Sequence, residues 1–242
     1  ICKTEVKLFN NVLEKLLDIL YDLAKELQPA SKNSLIQSGF FNSIRNIIFL
    51  EDVSINSIAN SIKLIHLSPQ TEAESPFSEF ASIISKYEMT QKMMEAVLIS
   101  LSNDINQFIG IRNPKAISLV VPFLHSEQFC IPILKKIYEA IENSIPDSIV
   151  ISKYQLISNI IEVLKDDSSE ELFDIVMKII IKVFPQIASR KDLLSFFKLL
   201  APIHEENDTN EEYFNNVKLR RCKHSSIILD TLKNVISQNP QT

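Results

Sequence analysis

Two glycines, Gly39 and Gly110, are all that 242 residues contain. Sheet-rich folds use glycine in hairpins and bulges, and nucleotide-binding loops use it to bring backbone up to a phosphate. Helices joined by short polar connections need very little of it, so the expected fold class is all-α. The same scarcity leaves no Walker loop, GxGxxG or GxSxG motif in the chain, and the "SGF" at 38–40 lacks the flanking strand that a nucleophile turn requires.

Apolar residues recur at three- and four-residue spacing almost throughout. In "VKLFNNVLEKLLDILYDLAKEL" (6–27), Leu8, Val12, Leu16, Ile19 and Leu23 fall on one stripe, widened by Phe9, Leu13 and Leu20. That stripe is expected to face the core, with Pro29 ending the helix. Further helices are expected at 34–50, 54–67, 77–86, 89–102, 115–125, 130–143, 149–165, 168–184, 191–201 and 223–237. Breaks are marked by "SPQTEAESP" (68–76), "RNP" (112–114), "SIPDS" (144–148) and Pro202. Pro132 lies near a helix start, where its missing N–H costs nothing.

The helices repeat in pairs. Anchored at Leu64, Asn103, Asn143, Val183 and Asn234, the spacings are 39, 40, 40 and 51 residues. Two residues before each anchor stand Ile62, Leu101, Ile141, Ile181 and Leu232; six before stand Ile58, Val97, Ile137, Met177 and Ile228. Both columns are apolar and four residues apart, as a buried helix face demands. Between them Ser61, Ser100, Ala140, Ile180 and Thr231 form a mostly small column that lets a neighbouring helix come close. The preceding helix of each pair keeps phase through Phe41, Phe80, Val120 and Ile160, and through Ile44, Ile83, Phe123 and Val163. In the fifth unit those columns return at Leu200 and Ile203 once an inserted acidic loop at 204–214 is allowed for. A small residue opens each unit: Gly39, Ser78, Ser118 and Ser158. Gly39 is therefore expected to be a turning and packing device where a side chain would collide.

At "LIQSGFFNSIRNIIFLEDVSINSIANSIKLI" (35–65) the sequence resembles an armadillo repeat: a short first helix, a glycine, a second helix with Ile44, Ile47 and Ile48, an acidic turn at Glu51 and Asp52, then a third helix. The later units are similar to degenerate armadillo or two-helix HEAT repeats, and the likeness spans 30–237. The resemblance implies a right-handed α-solenoid of about five repeats after an N-terminal helix at 1–29. The repeats would occupy 30–67, 77–103, 105–143, 148–184 and 190–237. Proteins of this family bind other proteins along a concave groove lined by third helices, and an Asn near the end of that helix clamps a peptide backbone. Asn103, Asn143 and Asn234 match that position, while Leu64 and Val183 interrupt the ladder. The family's Trp one turn earlier is absent, and Asn60, Ile99, Glu139, Ile179 and Asp230 stand in its place. A receptor for nuclear-localisation signals is not expected from such a groove.

Catalysis and metal binding find no support in the sequence, so no enzyme activity and no cofactor are expected. His66, His125, His204 and His224 are far apart and form no metal-spaced pair. Cys2, Cys130 and Cys222 are an odd set with no short spacing, which points to free thiols in a reducing compartment, the cytoplasm or nucleus. Cys130 is expected to be a buried structural thiol. Net charge is −5, so the chain as a whole does not attract nucleic acid, and Lys63, Lys135, Lys136, Lys178 and Lys182 lack interleaved aromatics. The longest apolar runs end within nine residues, far short of the ~20 a membrane-spanning helix requires. The first residue is Ile, without a charged start and apolar core behind it, and the chain reads as an excised segment lacking a targeting signal. Its richness in Ile, Asn and Ser points to an AT-rich eukaryotic genome.

Two charged surfaces remain. Glu205, Glu206, Asp208, Glu211 and Glu212 precede the basic run "KLRRCKH" (218–224), in which Arg220, Arg221 and Lys223 are candidates for docking an acidic partner. Mutual neutralisation of the two stretches is the plainer reading. Phe41 and Phe80 belong to core columns, whereas Phe40 and Phe77 fall outside them and are candidate exposed anchors. The leading expectation is a non-enzymatic interaction scaffold that takes a peptide or partner helix, with Asn60, Asn103, Glu139, Asn143, Asp230 and Asn234 on its groove. Two alternatives stand beside it: a small-GTPase-binding or autoinhibitory armadillo module of a larger protein, and an all-α nucleic-acid-binding or enzymatic bundle.

Overall fold

A computed structural model describes residues 3–68, 77–102, 110–142, 144–165, 168–185, 190–199, 225–234 and 237. Every regular element among them is a helix, in agreement with the all-α expectation. The chain divides into two compact units, residues 1–129 and 130–242. The division falls between the two helices of the third expected repeat.

In the first unit α1 (Lys3–Glu26), α4 (Ile55–His66) and α6 (Gln91–Ser102) succeed one another, α1 packed on α4 and α4 on α6. Beside them lie α2 (Pro29–Gln37) and α3 (Phe40–Ile48), then α5 (Phe77–Ile84), which packs on a 3-10 segment (Pro114–Val120) and on the short α7 (Val121–Leu124). The expected helix at 115–125 is thus 3-10 for most of its length. Pro122 explains this, since its ring clashes with the carbonyl four residues back and lacks the N–H an α-helix would use there. Pro29 does more than end α1: it sits in the first turn of α2, where a missing N–H is harmless.

In the second unit α8 (Cys130–Glu142) packs on α11 (Glu170–Val183), and α10 (Leu156–Glu162) packs on α12 (Arg190–Lys198). The region expected as one helix at 149–165 is instead α9 (Ile145–Lys153) and α10, separated by Gln155 in a left-handed conformation, φ 56°. Local signals set the helix starts. Ser54, Thr90 and Ser169 each accept a hydrogen bond from the backbone N–H three residues on, at 3.1, 3.2 and 3.2 Å. α11 adds Glu170 and Glu171 in its first turn and Lys182 in its last, matching the helix dipole.

Most residues of the repeat columns are buried; in the column Ile44, Ile83, Phe123 and Val163 the first and third are core and the other two half-buried. Ile58, Val97, Ile137, Met177 and Ile228 are all core, as are Ser61, Ser100, Ala140, Ile180 and Thr231. Phe41, Phe80, Val120 and Ile160 are buried as well. In the second apolar column Ile62, Leu101 and Ile141 are buried, while Ile181 and Leu232 are half-buried. Ser61 and Ser100 return their hydroxyls to the carbonyl one turn back, at 3.0 and 2.8 Å, so a buried polar atom costs little there. Leu200, Ile203 and the acidic stretch 204–214 lie outside the described residues.

Two expectations about single residues are corrected. Gly39 is left-handed, φ 76°, and turns the chain from α2 into α3, but a Cβ there would meet nothing within 4 Å. It serves the backbone angle alone, not close packing. Gly39→Val is accordingly expected to cost about 1–2 kcal/mol and Gly39→Asn distinctly less, because Asn tolerates this conformation; urea unfolding midpoints check the order. Crowding would instead penalise both by size. Phe77, offered as an exposed anchor, is fully buried with its ring 6.1 Å from that of Phe80. Phe40 is half-buried, edge-on to Phe41 at 5.2 Å.

Candidate functional site

α1 is fixed to α4 by three contacts that advance together along both helices. Asn10 uses both ends of its amide, Nδ2 donating to the Asp52 carbonyl and Oδ1 accepting from the Ser54 N–H, each at 2.8 Å. One turn further on, Asn60 Nδ2 donates to the Glu14 carbonyl at 3.1 Å. Near the helix ends the Lys63 ammonium lies 5.9 Å from the Tyr21 ring centroid, over its face. The two helices therefore run parallel, and α1 stands beside α4 as one more member of the row α1–α4–α6.

A charged cluster bridges that row. Lys92 of α6 reaches two acids of α1, Glu14 at 3.0 Å and Asp18 at 2.9 Å. Burial works to lower the Lys92 ammonium, but the hydrogen bonds and charges of Asp18 and Glu14 outweigh it and hold the group above its ordinary value. Lys63 goes the other way: burial pushes it down, Lys92 adds to this, and Glu95, Asp18 and Asp22 only partly oppose. Burial, then the Asp22 charge, raises Tyr21. Tyr21, Lys63, Lys92 and Glu95 are all half-exposed. The surface offers a phenol, two ammonium groups and carboxylates from three successive helices.

The raised Lys92 has a pH signature. A lysine whose folded pKa exceeds its unfolded value stabilises fully below the unfolded pKa of about 10.4 and loses that contribution as pH rises through the folded one. Lys92→Met is thus expected to lower stability near pH 7 by about 1 kcal/mol or less, since the pair is partly solvated. The difference from the parent should close as the solution becomes strongly alkaline. Urea midpoints measured across that range check the sign.

Of the residues singled out in the sequence, Asn60 is fully buried under α1 rather than open to a groove, and its Oδ1 finds no hydrogen-bond partner among the described residues. Ile99 and Ile179 from the same column are buried, whereas Glu139 and Asp230 are exposed. Glu139 pairs with Lys136 at 2.7 Å. At the anchor positions Leu64 and Val183 are core and Asn234 is exposed. Asn103, Asn143, Arg220, Arg221 and Lys223 lie outside the described residues. Of the described anchor positions two are therefore core and one is on the surface. Sequence reading missed the bridging cluster because its members, Glu14, Asp18, Lys63 and Lys92, belong to three helices and share no column.

Other chemistry is sparse. Cys130 is buried, and desolvation pushes its thiol up to about 11, the setting of an inert structural cysteine. Lys135 is committed to Glu171 at 2.7 Å. Among the described residues no group of three or more His, Cys, Asp or Glu could hold a metal ion, and no helix is long and apolar enough to cross a membrane. No protein-family profile, curated protein or solved structure matches the chain.

Proposed function

We propose that this chain is a non-enzymatic protein-binding module of armadillo/HEAT-like helical repeats, taking a peptide or partner helix along the row α1–α4–α6. The observation that carries the reading is the row itself. Three helices follow one another in chain order, α4 and α6 on buried column residues and α1 against α4, and half-exposed polar groups from all three meet on one surface. Stacked repeats use the outward side of such a row for recognition, with a few desolvated anchors giving affinity and charges steering approach. Tyr21 is the aromatic anchor, and Lys63, partly stripped of water, favours a partner carrying a carboxylate.

The test is capture of the purified chain's partners from a lysate of its source organism, with a parallel arm carrying Lys63→Glu and Glu95→Lys. A protein retained by the parent and depleted about tenfold or more in the variant arm supports the row as the site. A partner held equally by both arms places recognition elsewhere. Loss of all binding on nuclease treatment would favour the nucleic-acid reading instead.

A further inference from the structure

The apolar stripe expected to face the core does not. Leu8, Phe9, Val12, Leu16, Ile19 and Leu23 are 50–65% exposed, while α1 packs on α4 through Leu17 and Ala24, with Leu13 and Leu20 half-buried between the two faces. Contiguous apolar surface of this extent marks an interaction site. From Phe9 the exposed positions are spaced three, four, three and four residues, the a/d seam of a two-stranded coiled coil. A stripe of this spacing fits another helix.

We propose that the outward face of α1 is a self-association seam, on which α1 of a second copy of this chain packs antiparallel about a two-fold axis. The flanking charges select this partner and this register. When Leu16 meets Ile19 of the second copy and Val12 meets its Leu23, the residues bordering the seam on its solvent side are Lys15 against Asp22, made twice by symmetry. Both are exposed and have no ion-pair partner among the described residues. On the other border Leu13 meets Leu20 of the second copy, apolar on apolar. Sliding the antiparallel pair by one heptad sets Lys15 against its own symmetry mate. A parallel pair sets Lys15 against Leu20 and Asp22 against Leu27. Only one of the three arrangements satisfies both borders.

The area suffices. Val12, Leu16, Ile19 and Leu23, each half or more exposed, bury roughly 500 Å² per copy together with the bordering Leu13 and Leu20, which reaches the total of about 1,000 Å² that a specific interface must clear. An anionic lipid surface is a poorer occupant, because the stripe is bordered by a single Lys balanced by an Asp and the chain carries a net charge of −5. The seam lies off the α4 contact and off the Lys92 ion pairs; Asp22 alone also acts on Lys63 and Tyr21, so Lys15→Glu and Leu16→Glu are the variants that leave the proposed binding row untouched.

Sedimentation velocity of the 242-residue chain, from low to high micromolar concentration, reads the equilibrium directly. The parent is expected to dimerise. Lys15→Glu and Asp22→Lys should each weaken dimerisation about tenfold or more, and the double variant should recover to within about threefold of the parent, because the reversed pair is again complementary. Leu16→Glu should leave a monomer with unchanged helical circular dichroism, since the side chain is exposed in the single copy. A parent that stays monomeric throughout overturns the proposal, whether or not it sediments with lipid vesicles. So does a dimer indifferent to Leu16→Glu, or one that the double charge reversal fails to restore.

Discussion

Leu101→Asp and Ile141→Asp are each expected to abolish cooperative folding of the unit that carries them. Both side chains are at most 1% exposed and belong to the same repeat column, one in α6 and one in α8. An unpaired carboxylate placed there has no donor to satisfy it, and loses the burial of an Ile or Leu besides. The combined cost exceeds about 4–5 kcal/mol, comparable to the whole stability of a domain of this size. Far-UV circular dichroism and thermal melts check the outcome: large loss of helix and no cooperative transition for the residues of that unit. Leu101→Met, which conserves volume, should melt within about 1.5 kcal/mol of the parent. An aspartate variant as helical and heat-stable as the parent would refute the repeat register on which the fold reading rests.

The second large effect lies in the other unit, at a buried polar contact. Ser158 of α10 donates its hydroxyl to Asp192 Oδ1 of α12 at 2.7 Å, and both residues are buried, Asp192 to 1% exposure. Removing the carboxylate in Asp192→Ala strands a buried hydroxyl and forfeits a charge-assisted bond, at a cost of about 3 kcal/mol. Ser158→Ala should cost less, about 1–2 kcal/mol, because Asp192 keeps further contacts of its own. The two changes share one bond and should be clearly non-additive in a double-mutant cycle of urea unfolding. Additive losses would mean that the contact contributes nothing beyond the packing of each side chain.

The helical class and most of the buried columns were legible because they rest on period and proline, which act locally. What escaped was decided by tertiary contact. α1 is apolar on more than one face, and spacing alone selects the stripe of Leu8, Val12, Leu16, Ile19 and Leu23; α4 in fact receives Leu17 and Ala24. Asn60 looked like a groove residue because its column matched a family position, yet α1 lies across it and takes its amide. The break at Gln155 carries no glycine or proline, so the left-handed turn that divides α9 from α10 left no mark in composition. Ser158 was read as a small packing residue, like Gly39 and Ser118, and proves to be a hydrogen-bond donor to an acid more than thirty residues away. Asp192 itself reads as an ordinary acid in the first turn of an amphipathic helix, a position the helix dipole favours without any burial.

Recognition is proposed to happen on the row of helices in the first unit. Hydrogen–deuterium exchange of the chain, alone and saturated with a captured partner, addresses it most directly. New protection is expected over the segments carrying Tyr21, Lys63 and Glu95, at 14–25, 57–66 and 91–98, with the second unit unchanged. Protection confined to α8, α11 or the C-terminal charged region, with those three segments exchanging as before, would contradict it.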